Sequence, residues 1–147
     1  MPLTKVTSAV LEPTAVTDSI STGSISSDKI ANSAISYEKV HDEFKTSSAL
    51  TAGANVNVDF DVAQVFTLTP DQNTTLNITN PKVGITKSII VIGAGGSYTL
   101  SFNVGGASGT FNLIAGEYDD TSSTKNLIQV LCVSSTEFWY SISQIAS

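Results

Sequence analysis

From residue 48 onward, apolar residues recur at every second position in short runs that turns interrupt. In "VNVDFDV", Val56, Val58, Phe60 and Val62 alternate with Asn57, Asp59 and Asp61. That is the period of a strand with one wet face. "TLNIT" repeats the pattern with Leu76 and Ile78, and "SYTLSFNV" repeats it with Tyr98, Leu100, Phe102 and Val104. "SIIVIG" differs, because Ile89 to Ile92 are all apolar. Such a run predicts a strand covered on both faces. "GTFNLIAG", "NLIQVLCV" and "EFWYSISQI" complete the series, and Ser134-Ser135-Thr136 between the last two reads as a hairpin turn. Gly, Pro and Asn punctuate the rest, and no long helical pattern intervenes. The expected fold class is all-β: an antiparallel β-sandwich or jelly roll of seven or eight strands over residues 47–147.

Residues 1–46 have another texture. They are rich in Ser, Thr and Ala, with isolated Ile and Val, and Tyr37 and Phe44 are the only aromatics. That is too little apolar surface for a core within one chain. Ile20, Ile25, Ile30, Ile35 and Val40 fall five residues apart, and "SISSDKI" is echoed ten residues later by "AISYEKV". On an α-helix a five-residue step displaces successive side chains by roughly 140°, so they form no stripe. On a strand, odd spacing sends them to opposite faces. A compound repeat accommodates both: an extended piece, then a helical turn with a serine near its N-cap and an acid in its first turn. Such repeats bury their Ile only by packing on others, so association of several chains is expected. The domain has a matching orphan set. In "NLIQVLCV", Ile128, Val130 and Cys132 fill one face, and Leu127, Leu131 and Val133 remain apolar on the other. The expected oligomer interface is therefore Ile20, Ile25, Ile30, Ile35, Val40, Leu127, Leu131 and Val133.

"GSISSDKIANSAISYEKV" resembles the stalk repeats of tailed-bacteriophage fibre and appendage proteins, and "GEYDDTSSTKNLIQVLCVSSTEFWYSISQ" is similar to C-terminal β domains of such virion proteins. The two stretches cover about a third of the chain. The resemblance implies a homotrimer located in the virion, on tail or capsid surface, with no cofactor. Residues 1–46 would be an attachment stalk bound to other virion proteins, and the β domain would be displayed toward the host surface. The chain departs from the family in being much shorter than most tail fibres, which keeps a capsid decoration or cement protein as an alternative. A carbohydrate-binding module is a second alternative.

The residue inventory argues against other classes. The net charge is −6, only 14% of residues are charged, and all seven basic residues are lysine. Without arginine, bidentate reading of phosphate or guanine is lost, so no nucleic-acid partner is expected. No apolar run approaches the roughly 20 residues of a membrane span, and "MPLTKVTSAVLEP" lacks a signal-peptide apolar region. Cys132 is a lone thiol on an apolar strand, expected to be a small buried hydrophobe. His41, the one histidine, falls on a short helix beside Tyr37, Val40 and Phe44. Gly93, Gly95 and Gly96 in "VIGAGGSY" precede a strand rather than a helix and read as a hairpin turn, not a phosphate loop. Glu117, Asp119 and Asp120 are too few for a full Ca²⁺ shell. Asp59, Asp61 and Glu137 read as wet-face acids rather than a glycosidase pair, so no enzymatic activity is expected. Alternation turns Trp139 away from Phe138, Tyr140 and Ile142, toward a subunit interface. Trp139 and Tyr118 are the candidate contacts to a host-surface glycan.

Overall fold

The computed structural model describes residues 30 and 34–145. The chain divides into two compact units, Met1–Lys39 and Val40–Ser147. In the first, the described residues include one 3-10 turn, Tyr37–Lys39. Its Lys39 N–H donates to the Ser36 carbonyl at 2.9 Å. This is the helical turn expected there. The equivalent turn expected at 26–30 lies outside the described residues except for Ile30.

The second unit holds a 3-10 turn, Asp42–Phe44, and then nine strands: β1 (Ser47–Ala49), β2 (Asn55–Asp59), β3 (Val65–Leu68), β4 (Thr74–Thr79), β5 (Thr86–Ile92), β6 (Leu100–Val104), β7 (Thr110–Ala115), β8 (Lys125–Cys132) and β9 (Glu137–Ile145). The all-β class is as expected. The antiparallel sandwich or jelly roll is not what forms. Through β6, each strand lies in the sheet opposite its sequence neighbours, and alternate strands stack in parallel. Ser47 pairs with Val65, which pairs with Ser88, and Asn55 pairs with Thr75, which pairs with Ser101. The chain thus winds in coils, a β-solenoid-like arrangement. A six-stranded sheet, ordered β1-β3-β5-β8-β9-β7, faces a three-stranded sheet, β2-β4-β6. The expected turn at Gly93–Gly96 is accordingly a corner between sheets, not a hairpin. The hairpin at Ser134–Thr136 does form, and its β8 and β9 extend the larger sheet antiparallel to β5 and to each other. β7 pairs parallel to β9, with a bulge between Leu113 and Ala115.

The inward positions of both sheets build one core. Val56, Val58, Leu76, Ile78 and Val104 come from the smaller sheet, and Phe66, Leu68, Ile89, Val91, Ile128, Val130, Cys132 and Phe138 from the larger. Each such aliphatic or aromatic side chain contributes about 1.5–3 kcal/mol by burial. Stacked rings bind β6 to the far strands: Phe102 lies 5.3 Å from Phe111, and Phe111 lies 4.8 Å from Phe138. The alternation of "VNVDFDV" stops one step early. Asp59 Oδ1 accepts from the Asp61 N–H at 3.0 Å, the chain turns, and Val62 is left exposed.

The outer faces differ. On the smaller sheet, parallel register lines up Asn57, Asn77 and Asn103. Asn77 Nδ2 donates to Asn57 Oδ1 at 2.7 Å, and the Thr75 and Ser101 hydroxyls lie 2.8 Å apart. On the larger sheet, Ile90 pairs with Leu127 and Leu131 with Trp139, all on the outside.

Parallel stacking makes a direct prediction. Cysteines introduced together at Asn57 and Asn77 should oxidise to an intramolecular disulfide, because register neighbours meet the Cα separation that bond requires. Mass spectrometry of the monomer should show the loss of two hydrogens. A domain in which β2 and β4 were not adjacent would show none.

Candidate functional site

Three surfaces of the β unit carry the chemistry. The first is a polar cleft of about 500 Å³ between the corner after β5 and the loop before β8, lined by Ser97, Tyr98, Tyr118, Asp119, Asp120 and Ser122. Asp120 organises it. Its Oδ1 accepts from the Ala94 N–H at 3.0 Å and from the Tyr118 hydroxyl at 2.7 Å, and its Oδ2 accepts from the Tyr98 N–H at 2.9 Å. Burial pushes the Asp120 carboxyl up, but the Tyr98 and Ala94 N–H groups and the Tyr118 hydroxyl outweigh it and hold the pKa below the usual range. The Tyr118 hydroxyl is raised well above the ordinary phenol value by its own burial and by Asp120. The two segments touch so closely at Gly93 that a Cβ there would lie 2.2 Å from the Thr121 carbonyl oxygen. Asp120 is therefore engaged as a clamp between two loops. Among the described residues, no three His, Cys, Asp or Glu side chains converge as metal ligands.

The second surface surrounds the Asp42–Phe44 turn. His41 caps it, with Nδ1 accepting from the Glu43 N–H at 3.4 Å. Glu43 is buried, and Lys87, on the inward face of β5 with Ile89 and Val91, is fully buried. The Lys87 ammonium donates to the Glu43 carbonyl at 2.6 Å and lies 5.3 Å from the Phe44 ring centroid, a cation–π contact. Burial holds its pKa below that of an ordinary lysine. Lys82 bridges Asp61 at 2.6 Å and Glu43 at 3.6 Å. These contacts explain why the compact unit begins at Val40, ahead of the compositional change at residue 47. The sequence reading missed Lys87, yet its phase was readable: residue 87 alternates with 89 and 91.

The third surface is the outer face of the six-stranded sheet. Val65, Ile90, Ile92, Leu127 and Leu131 are half-buried there, and Trp139 and Ile145 are 44% and 67% exposed. "SIIVIG" is thus buried on one face only, and no described element covers Ile90 and Ile92. Of the expected interface residues, Leu127 and Leu131 lie on this face and Val133 begins the turn beside it. Ile30 and Ile35 are 42% and 65% exposed, and Val40 is half-buried. Ile20 and Ile25 lie outside the described residues.

The two candidate glycan contacts are not brought together. Tyr118 lines the cleft, beside the Gln144 end of β9, where Gln144 Nε2 donates to the Glu117 carbonyl. Trp139 sits near the opposite end of β9, with Nε1 donating to Glu137 Oε1 at 3.0 Å. Cys132 is buried, its thiol donates to the Ser134 carbonyl at 3.1 Å, and burial raises its pKa, which disfavours the nucleophilic thiolate. Among the described residues, no helix is long and apolar enough to cross a membrane. Neither family models, curated proteins nor solved structures show a match to this chain.

Two outcomes follow from the clamps. Because the Asp120 pKa is depressed in the folded chain, its stabilisation is present above the ordinary value of 3.8 and is lost as pH falls through the lower folded value. The protection of the Ala94 and Tyr98 amides from hydrogen exchange, relative to the intrinsic rate at each pH, should fall across that acid range, and Asp120→Asn should flatten the dependence. At the other clamp, Lys87→Ala should cost about 2–5 kcal/mol in urea unfolding, whereas Lys87→Met, which conserves volume, should cost less than about 1.5 kcal/mol.

Proposed function

We propose that this chain is a non-enzymatic structural protein of a tailed-phage particle, a homotrimeric fibre or appendage. Residues 1–46 serve as the stalk that attaches to other virion proteins, and the β unit is displayed, within reach of a host-surface glycan. The observation that carries the reading is the apolar outer face of the six-stranded sheet, which a monomer has no means to bury. Exposed apolar side chains gathered on one face mark interaction surfaces. The stalk-like repeat adds to it, because a repeat builds length along an axis. A winding β domain suits the same role. Its backbone groups are paired coil upon coil. A capsid decoration protein is the second reading, in which the same apolar face would seat against capsid subunits.

Light scattering of the full chain should give the mass of three chains at micromolar concentration. Ile30→Asp should weaken assembly, since it places a charge where an apolar contact is needed. A stable folded monomer would defeat the trimer. Electron microscopy of particles labelled at the C-terminus should place label on projecting stalks. Label spread over the head lattice would favour decoration instead.

A further inference from the structure

The outer face of the six-stranded sheet carries only two charges within its strands, and they lie at opposite ends. Lys125 opens β8 and pairs with Ile145, the last residue of β9. Glu137 opens β9. Along β9 the two ends are eight residues apart, about 27 Å at strand rise. Among the described residues Lys125 has no ion-pair partner and is exposed. Glu137 Oε1 accepts from Asn112 Nδ2 at 3.2 Å and from Trp139 Nε1 at 3.0 Å. That holds the carboxylate in place on the outer face beside the exposed indole. Between the two charges lie the aliphatic side chains of Leu131, Leu127, Ile90 and Ile92, divided by a polar row of Ser88, Gln129 and Ser141.

We propose that this face is covered by a second copy of the chain, in a closed ring in which Lys125 of each copy meets Glu137 of the next. The inference rests on the trimer reading and adds to it the surface and the orientation. In a cyclic ring every contact is heterologous: one end of each subunit's face abuts the opposite end of its neighbour's. A face with a cation at one end and a carboxylate at the other is complementary under that operation. The aliphatic residues on either side of the polar row supply apolar contact, and the charges fix direction and register, which is what rim charges do at interfaces. Trp139, next to Glu137, is an aromatic of the kind that anchors such contacts.

A zero-length carbodiimide cross-linker tests this on the full chain. Within one copy the two side chains are too far apart to be joined, so a Lys125–Glu137 cross-link forms only between copies. Digestion and mass spectrometry should recover that linked peptide from the trimer band. Independently, Lys125→Glu and Glu137→Lys should each raise the concentration for half-assembly about tenfold, and the double reversal should bring it back. Circular dichroism of each variant checks that the domain remains folded, and Lys125, being exposed, gives the cleaner single variant. A trimer that yields no such cross-link and is indifferent to Lys125→Glu overturns the proposed face and leaves the trimer standing. A wild-type monomer removes both.

Discussion

Parallel pairing is the constraint on which the rest of this structure depends. Two parallel strands cannot be joined by a tight turn, so the chain must travel before it returns to the same edge. Here the journey is made by a strand of the opposite sheet. That choice gives each coil two inward-facing rows, stacks like residues over like, and turns the space between the sheets into a single core. It also creates an end problem, since a coil stack leaves open strand edges. The β8–β9 hairpin answers it on one side by laying antiparallel strands on β5, and the Phe102–Phe111–Phe138 stack ties the smaller sheet to that addition.

Strand existence was legible in the sequence, and topology was not, for one physical reason. A period of two reports which face of a strand is wet. It does not report which strand is its neighbour. Val56, Val58, Leu76, Ile78, Ile128 and Val130 all point inward as the alternation predicts. The turn segments between them, "TPDQN" and "TNPKVG", carry the same Gly, Pro and Asn signals whether a chain reverses beside itself or crosses to a facing sheet. The three residues Ser134–Thr136 were too short for a crossover, and there the hairpin was read correctly. Lys87 escaped notice, and Asp120 reads only as a cation ligand or a solvated loop acid, because a charged residue in a strand or loop is ordinarily solvated. Burying Lys87 depends on the Glu43 carbonyl, 44 residues away in sequence, and no local pattern reports such a partner.

The two outer faces show what the chain spends its side chains on. On the smaller sheet the parallel register makes ladders of Asn, Thr and Ser that hydrogen-bond sideways, as Asn77 does to Asn57. Such a face is largely polar, although Asn103 Oδ1 at its end is buried without a hydrogen-bond partner among the described residues. On the larger sheet antiparallel pairing sets Ile90 against Leu127 and Leu131 against Trp139, side chains whose exposure costs free energy in proportion to their apolar area. The Asn ladder belongs to the parallel coils, whereas Leu127, Leu131 and Trp139 belong to the antiparallel hairpin laid beside them, so the two faces differ in pairing as well as in residues. The outer face of a sheet here can be filled with polar residues, as the Asn ladder shows. The aliphatic residues on the other side are therefore best understood as serving contact with something else. The sparse charge on that face narrows the choice further. A partner rich in charge would find almost nothing there to pair with, and a partner bearing the same aliphatic rows, with one cation and one carboxylate at opposite ends, would find its own complement.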